Sequence, residues 1–383
     1  MFLNHYRNRR VLVTGHTGFK GFWLCTWLLE LGAEVAGYSL NVPTNPSGFV
    51  ALGLQNRITH ITGDIRDRQA VASAVQAFRP EIIFHMAAQA LVRPSYEDPV
   101  TTFETNAIGT MNVLEAVRQA PFVQSLVLIT SDKCYRNDEW VFGYRETDHL
   151  GGKDPYSASK ACAEIIAHAY FPSFFRQTDT RMATVRAGNV IGGGDWATGR
   201  IVPDCARAWM AGVPALIRSP AATRPWQHVL EPLSGYLWLG ANLLEGENRY
   251  GMPLHGESFN FGPPSEVNAT VGELAQALVR HWPGFLLSLD LPPDLSPDKK
   301  NDKKEASLLK LCCDKALAHL DWKAALPFAD TVCLTAEWYL HLRRAADAMR
   351  AGTATPGGMY AFTASQIGEY TAKAREQSAA WTQ

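Results

Sequence analysis

Short apolar runs alternate with longer segments of helical periodicity along the first half of the chain. Runs of this kind, separated by helical segments, are typical of βαβ units in which the strands pair in parallel. The predicted strands are Val11–Thr14, Glu34–Tyr38, Ile58–Gly63, Ile82–Met86, Ser125–Thr130 and Thr184–Ala187, and the predicted helices are Phe22–Leu31, Asp67–Phe78, Phe103–Ala120 and Tyr156–Tyr170. The pattern therefore predicts an α/β fold with a doubly wound parallel sheet of the Rossmann type.

The pattern changes after Gly192, where turn residues become frequent. We expect residues 1–188 to form the Rossmann domain, with a later segment of about 225–262 returning to it. Residues 189–350 are expected to form mainly a smaller C-terminal α/β domain that binds substrate. Residues 351–383 are expected to be a C-terminal tail with a helix near Thr363–Ala374. The polar, proline-punctuated stretch Leu291–Lys304 is predicted to be a surface loop.

Charge and composition narrow the classes of partner. The 383 residues carry 36 Lys and Arg against 37 Asp and Glu, so the net charge is −1. Proteins that bind the nucleic-acid backbone are normally strongly basic, so we expect no nucleic-acid partner. No apolar run approaches the roughly 18 residues of a membrane helix, and the N-terminus lacks a signal-peptide pattern. Seven cysteines without a CxxC pair are expected to be buried thiols, which favours the cytoplasm and gives no metal site.

A glycine-rich turn follows the first predicted strand and opens the first helix. It reads Gly15-His-Thr-Gly18-Phe-Lys-Gly21. The first glycine permits a tight turn, the second lets the backbone approach a pyrophosphate, and the third allows the helix to pack closely on the sheet. The helix N-terminus adds free N–H groups and a positive dipole end. This context predicts a dinucleotide cofactor, and a purely structural turn is the alternative.

The sequence at the end of the second strand does not distinguish NAD from NADP. The second predicted strand ends in Tyr38-Ser39-Leu40-Asn41, where an acid or an arginine would hold the adenosine ribose. Neither is present, so NAD and NADP both remain candidates. Asp64, after the third strand, is a candidate for the adenine edge, with a helix N-cap as the alternative role.

Two groups of polar residues lie where a catalytic site is expected. Ser131, Asp132 and Lys133 follow the fifth predicted strand, and the carboxyl ends of parallel strands face the ligand crevice. Tyr156 and Lys160 are four residues apart on a predicted helix, so their side chains project from one face. A nearby ammonium and a cofactor cation would lower the pKa of the phenol and make Tyr156 a base. The alternatives are a chance spacing of Tyr156 and Lys160, and a surface salt bridge between Asp132 and Lys133.

The chain resembles the extended short-chain dehydrogenase/reductase family and, within it, the sugar-nucleotide 4,6-dehydratases. The segments that carry the resemblance over nearly the whole chain are VTGHTGFKG, GDIRD, FHMAAQALVRPSYEDP, TNAIGT, ITSDKCY, EWVFGYRETDHLGGKDPYSASKACAE, VRAGNVIGGGDWATGRIVPD, RPWQHVLEPLSGYL and FNFGP. Family members that act on dTDP-glucose carry an Asp-Glu pair where this chain has Asp132-Lys133. The resemblance therefore implies a lyase that uses NAD, with NADP not excluded, and acts on CDP-glucose in deoxysugar synthesis.

The resemblance also implies a role for each of the five polar residues. Tyr156 would take the proton of the C4 hydroxyl while hydride passes to the nicotinamide, with Ser131 bonded to the same oxygen and Lys160 holding the cofactor ribose. The ketone at C4 acidifies the C5 proton, for which Lys133 is the candidate base. Asp132, kept protonated by burial, would protonate the departing C6 hydroxyl before hydride returns to C6.

Further residues are assigned to the two ligands. The cofactor is expected to contact the turn and the ends of the neighbouring strands at Gly15, Thr17, Gly18, Phe19, Lys20, Gly21, Asp64, Ile65, Ala87, Ala88, Gln89 and Asn106, together with Tyr156 and Lys160. The sugar nucleotide is expected to contact Ser95, Tyr96, Asn189, Arg200, Arg218, Arg224 and His228. Asn189 and Arg224 are the candidates for the diphosphate, because a fork of donors suits paired oxygens. Rim positions are the alternative for Arg200, Arg218 and His228.

One segment departs from the family pattern. Family members typically carry a histidine before Glu-Ala in the late segment that closes over the nucleotide, and here it reads Lys303-Lys304-Glu305-Ala306. The resemblance implies a homodimer or homotetramer that pairs through Phe103–Ala120 and Tyr156–Tyr170. The alternative functions are another NDP-hexose dehydratase, a 4-epimerase of the same fold, or a non-catalytic NAD(P)-sensing regulator. The Asp132-Lys133 pair argues against the epimerase, and the intact tyrosine and lysine argue against the regulator.

Overall fold

A seven-stranded parallel sheet forms the centre of the protein in the computed structural model, which describes residues 1–246, 248, 250–264, 267–282, 287–288, 308–350 and 358–383. The strands in chain order are β1 (Arg10–Thr14), β2 (Glu34–Ser39), β3 (Thr59–Thr62), β4 (Ile82–His85), β5 (Ser125–Ile129), β6 (Arg181–Ala187), β7 (Val190–Ile191), β8 (Ala215–Leu216), β9 (Thr223–Arg224), β10 (Gln227–His228), β11 (Ser258–Phe261), β12 (Ala269–Thr270) and β13 (Leu287–Ser288). The sheet order is β11-β6-β5-β4-β1-β2-β3, with every neighbouring pair parallel. This is the doubly wound order extended by one edge strand, and it confirms the predicted fold class.

Three two-stranded sheets lie outside the central one. They pair β10 with β7 and β13 with β8 in parallel, and β12 with β9 in antiparallel. The helices are α1 (Phe19–Glu30), α2 (Gly48–Ala51), α3 (Arg68–Phe78), α4 (Val92–Glu97), α5 (Pro99–Phe103), α6 (Gly109–Arg118), α7 (Pro155–Tyr170), α8 (Ile201–Met210), α9 (Leu230–Glu245), α10 (Val271–Val279), α11 (Asp314–Leu320), α12 (Phe328–Arg350) and α13 (Gly358–Glu376). Among these described helices, none has both the length and the apolar composition needed to cross a membrane.

Alternate residues of the central strands enter two separate cores. Val11 and Val13 belong to the larger core, together with residues of α1, α9 and α12. Leu12 and Ile83 belong to the smaller core on the other face, with residues of α3 and α6. Side chains of a strand point alternately to opposite faces, so a strand buried on both faces reads as a continuous apolar run. This explains why the sequence pattern identified the strands well.

The predicted helix Phe103–Ala120 is interrupted. Its first part is the end of α5, a wider π-helical turn follows at Glu104–Ile108, and α6 then begins at Gly109. The turn contains Asn106, whose side chain bonds to the loop after β4 and to α7. Such wider turns are frequent at functional sites, because they reorient a side chain that regular helix would point elsewhere.

The C-terminal segment packs against the first helix. In α13, Tyr370 lies edge-on to Trp27 of α1 with ring centroids 5.7 Å apart, and the following Trp381 stacks on Phe2 at 5.2 Å. Residues 358–383, expected to be part of a tail, therefore form part of the larger core. The strand β11 lies in the central sheet next to β6, while the domain boundaries at 188 and 350 stay predictions. The predicted loop Leu291–Lys304 and the Lys303–Ala306 segment lie outside the described residues.

Candidate active site

The glycine-rich turn has the shape that a pyrophosphate requires. Gly15 has a φ of +75°, and a Cβ added there would lie 2.7 Å from the backbone N of Ala87. A Cβ on Gly21 would lie 2.2 Å from the carbonyl oxygen of Gly15, so only glycine permits this approach. Gly18 is the N-cap of α1, and no side chain among the described residues caps that end. The first N–H groups of α1 are therefore available to an anion.

Short hydrogen bonds join this turn to the ends of β2 and β4. The hydroxyl of Thr17 donates to the carbonyl of Asn41 at 2.7 Å, and the N–H of Ala87 donates to the hydroxyl of Thr14 at 3.1 Å. Phe19 and Ala88 are half-buried beside the turn. The sequence analysis did not single out His16, whose buried ring bonds to Ser39 at 2.9 Å and to His60 at 2.7 Å.

Asp64 is already paired. Its carboxylate accepts a fork of hydrogen bonds from the guanidinium of Arg66 at 2.7–3.1 Å, and this side-chain bond holds the pKa of Asp64 below its ordinary value. The N-cap of α3 is Asp67, which accepts from the N–H groups of Gln69 and Ala70. The alternative of Asp64 as a helix N-cap is therefore wrong. Its neighbour Ile65 is buried, and the Ile65 carbonyl accepts from Asn112 at 3.0 Å.

Gln89 and Asn106 hold the loop after β4 in place. The side-chain oxygen of Asn106 accepts from the N–H of Gln89 at 2.8 Å, and its amide donates to the carbonyl of Gln89 and to the hydroxyl of Ser159 in α7. The side chain of Gln89 bonds to the backbone of Leu91 and to Thr102. Both amides are thus engaged within the protein, and they connect this loop to the helix of Tyr156 and Lys160.

Ser131, Asp132 and Lys133 form a tight turn directly after β5. The hydroxyl of Ser131 accepts from the N–H of Lys133 at 3.2 Å and donates to Oδ1 of Asp132 at 2.9 Å. Asp132 is only 5% exposed. Burial raises its pKa above the ordinary value, although the charges of Lys133 and Lys20 and the bond to Ser131 oppose that effect. A buried carboxyl with a raised pKa is suited to donate a proton.

Tyr156 and Lys160 lie on one face of α7, and both are buried. Burial lowers the pKa of Lys160 to about 8, and its ammonium donates to the carbonyl of Ile129 at 3.3 Å. Burial raises the pKa of Tyr156 to about 12, against the hydrogen bond to Ser131 and the charge of Arg200, which lower it. Among the described residues, Arg200 is the cation whose charge lowers the pKa of the phenol. A lowering by Lys160 together with a bound cofactor cation stays a prediction.

Lys20 directs its side chain toward Asp132. Its ammonium donates to the hydroxyl of Tyr236 in α9 at 3.3 Å, and burial lowers its pKa to about 8. The charge of Asp132 raises that pKa, whereas those of Arg200 and Lys160 lower it. The glycine turn therefore supplies both a backbone cradle and a cation near the catalytic turn. Tyr236 was not found from the sequence, since its position depends on the packing of α9.

Ser95 and His228, both expected to contact the sugar nucleotide, are fully buried. The fully buried hydroxyl of Ser95 donates to the carbonyl of Val92 at 2.6 Å and accepts from the N–H of Tyr156 at 3.1 Å. It supports the start of α7, and its contact with a hexose stays a prediction. The ring of His228 is fully buried against Trp23, and burial lowers its pKa to about 3. His228 is thus a core residue and not a rim residue.

The arginine candidates occupy three different environments. Arg200 bonds to Asp195 at 2.9 Å, and its charge acts on Tyr156. Arg218 is 44% exposed and pairs with Asp204 at 3.2 Å, so it lies at the surface. Arg224 is half-buried in β9 and donates to the carbonyl of Thr223 at 2.8 Å.

A narrow cleft leads away from Asp132. Its walls consist mainly of glycine, proline and apolar side chains, with two charged residues, Asp132 and Lys310. The lining residues are Asp132, Gly188, Pro225, Gly262, Pro263, Pro264, Val267, Leu309, Lys310 and Leu311, and Lys310 was not predicted from the sequence. Asn189 follows Gly188 directly, and its carbonyl accepts from the N–H of Gln227 at 3.1 Å. Tyr96, in α4, is 37% exposed. The described residues contain no cluster of His, Cys, Asp and Glu suited to a metal ion.

Glu164 of α7 and Arg186 of β6 form a fully buried ion pair. The sequence held two signals for it. Glu164 follows Lys160 by one helical turn, and Arg186 is a charge in the second half of a strand that is buried from Met182 to Ala187. A charge in such a strand requires a buried partner.

Comparisons with known proteins agree with this geometry. The model of a family described as GDP-mannose 4,6 dehydratase matches residues 12–236. A CDP-glucose 4,6-dehydratase of Salmonella typhimurium is 45% identical over 344 residues, which cover 88% of this chain and 92% of that protein. The solved UDP-glucose 4-epimerase of Thermus thermophilus in complex with NAD has a TM-score of 0.69 at 25% identity, covering 86% of this chain and 99% of that one. A dTDP-glucose 4,6-dehydratase of Bacillus anthracis has the same TM-score at 20% identity and supports the fold, covering 87% and 97%.

Proposed function

Because this chain belongs to the GDP-mannose 4,6-dehydratase family, we propose that it is an NAD-dependent dehydratase which converts CDP-glucose to CDP-4-keto-6-deoxyglucose. Membership confirms the predicted resemblance to sugar-nucleotide 4,6-dehydratases. The choice of CDP-glucose is supported by the 45% identity to the Salmonella enzyme over most of both chains. The observation that carries the reaction type is the buried Asp132, adjacent to Lys133 and bonded to Ser131 beside Tyr156.

The residues present fit a nicotinamide dinucleotide. The uncapped N-terminus of α1 and the space above Gly15 and Gly21 would hold the pyrophosphate. Tyr156 and Lys160 would hold the nicotinamide ribose. The NAD complex of the Thermus epimerase supports NAD as the cofactor. When bound, NAD supplies an acceptor for the hydride of C4 and later a donor of hydride to C6.

The first proton transfer belongs to Tyr156. Its phenolate oxygen takes the proton of the C4 hydroxyl as the C4–H bond is broken and the hydride leaves to the cofactor. Ser131 and Arg200, which lower the pKa of Tyr156 against the effect of burial, stabilise the phenolate that acts as base. The Ser131 hydroxyl would also bond to the C4 oxygen and orient it.

The elimination step belongs to Asp132 and Lys133. The ketone at C4 acidifies C5, and Lys133 takes the C5 proton while Asp132 gives its proton to the departing C6 hydroxyl. The C5–H and C6–O bonds break, a C5–C6 double bond forms, and water leaves. Lys133 then returns a proton to C5 as hydride reaches C6. Burial raises the pKa of Asp132, which favours the protonated form that this step needs.

The sugar nucleotide is proposed to lie along the cleft that starts at Asp132. Asn189 and Arg224 would bind the diphosphate, with Arg200 near the hexose and Tyr96 at its edge. Lys310 in the cleft wall adds a cation next to that path. The seven free cysteines support a reducing compartment, and we place the enzyme in the cytoplasm.

We further propose a homodimer or homotetramer that pairs through α6 and α7. Apolar side chains at and beside these helices are exposed, among them Ile108, Ile165 and Phe174. Exposed apolar residues that cluster on one face are typical of a protein–protein interface.

The function is tested with purified protein and four substrates: CDP-glucose, dTDP-glucose, UDP-glucose and GDP-mannose. We expect CDP-glucose to yield a 4-keto sugar, detected by its alkali-labile chromophore, and the others to react far more slowly. Conversion of UDP-glucose to its C4 epimer would support the epimerase instead. Absence of product from all four would contradict the dehydratase proposal.

A further inference from the structure

The Glu164–Arg186 ion pair has no part in the proposed proton transfers, yet both side chains are 0% exposed. Arg186 donates from Nε to Oε1 and from Nη2 to Oε2 of Glu164, each at 2.9 Å. Burial by itself would raise the pKa of Glu164, but the Arg186 guanidinium lowers it overall. The carboxylate also accepts from the hydroxyls of Thr130 and Thr184. A buried pair with this many partners is rigid.

The contacts of this pair reach both ends of the catalytic turn. Thr130, bonded to Glu164, comes directly before Ser131. Tyr135 comes directly after the turn at Asp132–Cys134, and its hydroxyl accepts from Nη1 of Arg186 at 2.6 Å. One ion pair thus holds the residues on either side of Ser131, Asp132 and Lys133.

The same pair also holds the helix of the other catalytic residues. Glu164 lies one turn after Lys160 and two turns after Tyr156 on α7, so the three side chains share a face. The position of Tyr156 and Lys160 is therefore coupled, through one carboxylate, to the position of the catalytic turn.

A second series of hydrogen bonds connects Tyr135 to the cleft. The hydroxyl of Tyr135 donates to the side chain of Asn260 in β11 at 2.9 Å, and the amide of Asn260 donates to the carbonyl of Cys312 at 3.0 Å. Cys312 follows Leu311, which lines the cleft together with Asp132. Tyr135 therefore connects the ion pair to the catalytic turn and to one wall of the cleft.

We propose that Glu164, Arg186 and Tyr135 are positioning residues that set the distance between the oxidation pair, Tyr156 and Lys160, and the elimination pair, Asp132 and Lys133. The inference rests on the proposed function, in which the two pairs act on different carbons of one hexose. Their spacing must then match the distance from C4 to C6. Tyr135 directly follows the turn that carries Asp132 and Lys133, so its loss should slow elimination more than oxidation. Glu164 belongs to α7 and bonds to the residue directly before that turn, so its loss should slow both steps.

The test is Tyr135→Phe with two probes. CDP-6-deoxyglucose has no hydroxyl at C6, so it can be oxidised at C4 but cannot lose water, and the absorbance of reduced nicotinamide reports oxidation alone. CDP-glucose reports the complete reaction. We expect kcat for CDP-glucose to fall about 10-fold or more with little change in KM, because a displacement of ~1 Å can cost up to ~10²-fold. The oxidation rate of the 6-deoxy probe should stay within about twofold.

Tyr6→Phe is the matched control, since the buried Tyr6 hydroxyl bonds to the carbonyl of Leu237 at 2.6 Å outside the site. It should leave the ratio of the two rates unchanged. Glu164→Gln should lower both rates, and if it does not fold, Tyr135→Phe carries the test because it leaves the ion pair intact. Equal slowing of both probes by Tyr135→Phe, or none, would overturn the positioning role while the wild-type activity stands. A wild-type protein inactive on CDP-glucose would overturn the proposed function itself.

Discussion

Asp132 and Glu164 are both buried carboxyls beside the carboxyl ends of neighbouring strands, but burial has opposite outcomes for them. The pKa of Asp132 is raised, and that of Glu164 is lowered. Asp132 bonds to one hydroxyl, and ammonium charges act on it. Glu164 accepts two bonds from a guanidinium and two from threonines. The number and kind of donors decide whether the pKa of a buried acid is raised, which favours its protonated form, or lowered, which favours its anion.

This comparison separates chemistry from support within one site. A carboxyl that keeps its proton can donate it to a leaving group, whereas a fixed anion can only hold its neighbours. Tyr156 and Lys160 lie between the two, on the helix that Glu164 holds and beside the turn that carries Asp132. Changes on the chemical side should therefore alter rates with little effect on stability, whereas changes on the supporting side should alter stability as well as rates.

The largest expected effect is on the chemical side. Lys133→Met should lower formation of the 4-keto product by ~10³-fold, within the roughly 10²–10⁴-fold range of general acid–base catalysis. Oxidation at C4 does not need Lys133, so reduced nicotinamide should still form with CDP-glucose and be measured by its absorbance. Asp132→Asn should behave in the same way. Unchanged turnover of Lys133→Met would exclude this residue as the base.

The free energy of unfolding should change more for a substitution of Glu164 than for a substitution of Asp132. Glu164→Gln leaves the charge of Arg186 buried without its partner, and we expect a loss of about 3–5 kcal/mol in the free energy of unfolding, measured with urea. Asp132→Asn retains the hydrogen bond to Ser131 and should change that free energy by less than about 1 kcal/mol. Equal losses in the two variants would contradict the distinction between them.

The pH dependence of the Glu164 effect has a defined sign. Its pKa is lower in the folded protein than the ordinary value of 4.5, so the unfolded chain binds more protons as the pH falls below that value. The stabilisation is therefore complete above pH 4.5 and is lost as the pH falls. The difference between wild type and Glu164→Gln should shrink below that pH, and a difference that grows there would contradict the assignment.

Glu231 is a third buried carboxyl and gives the smallest expected effect. It accepts from the N–H groups of Ala325 and Leu326 and from the hydroxyl of Tyr370, and burial raises its pKa to about 7 from 4.5. The folded protein then binds more protons between these values, so this group lowers stability as the pH rises from about 4.5 to about 7. Glu231→Gln should remove on the order of 1–3 kcal/mol of that decline, measured by urea unfolding across this range. An unchanged slope would contradict it.

The sequence allowed the parallel sheet to be predicted, and it singled out Ser131, Asp132, Lys133, Tyr156 and Lys160 as candidates, because both depend on local spacing. Apolar runs identify strands, and residues four apart identify one face of a helix. The role of Ser95 and the burial of His228 depend on contacts with distant segments, such as the bond from Tyr156 to Ser95 and the packing of Trp23 on His228. The raised pKa of Tyr156 likewise follows from burial, which spacing does not report.

The buried Glu164–Arg186 ion pair could be predicted from the sequence only in part. The charge of Arg186 in a buried strand predicts a buried partner, and Glu164 lies on the predicted catalytic face of α7. Their pairing nevertheless requires the register of β6 beside β5 and the packing of α7 on both, which no single segment specifies. The same is true of α13, whose contacts with α1 join the two ends of the chain.

The central claim is that Asp132 and Lys133 remove water from the hexose that Tyr156 and Lys160 have oxidised. The most direct measurement is NMR of the products formed from CDP-glucose in D₂O. We predict a 4-keto-6-deoxy sugar with solvent deuterium at C5, because the C5 proton passes to Lys133 and is replaced from solvent. Recovery of a C4 epimer without deuterium at C5, or of unchanged CDP-glucose, would contradict the claim.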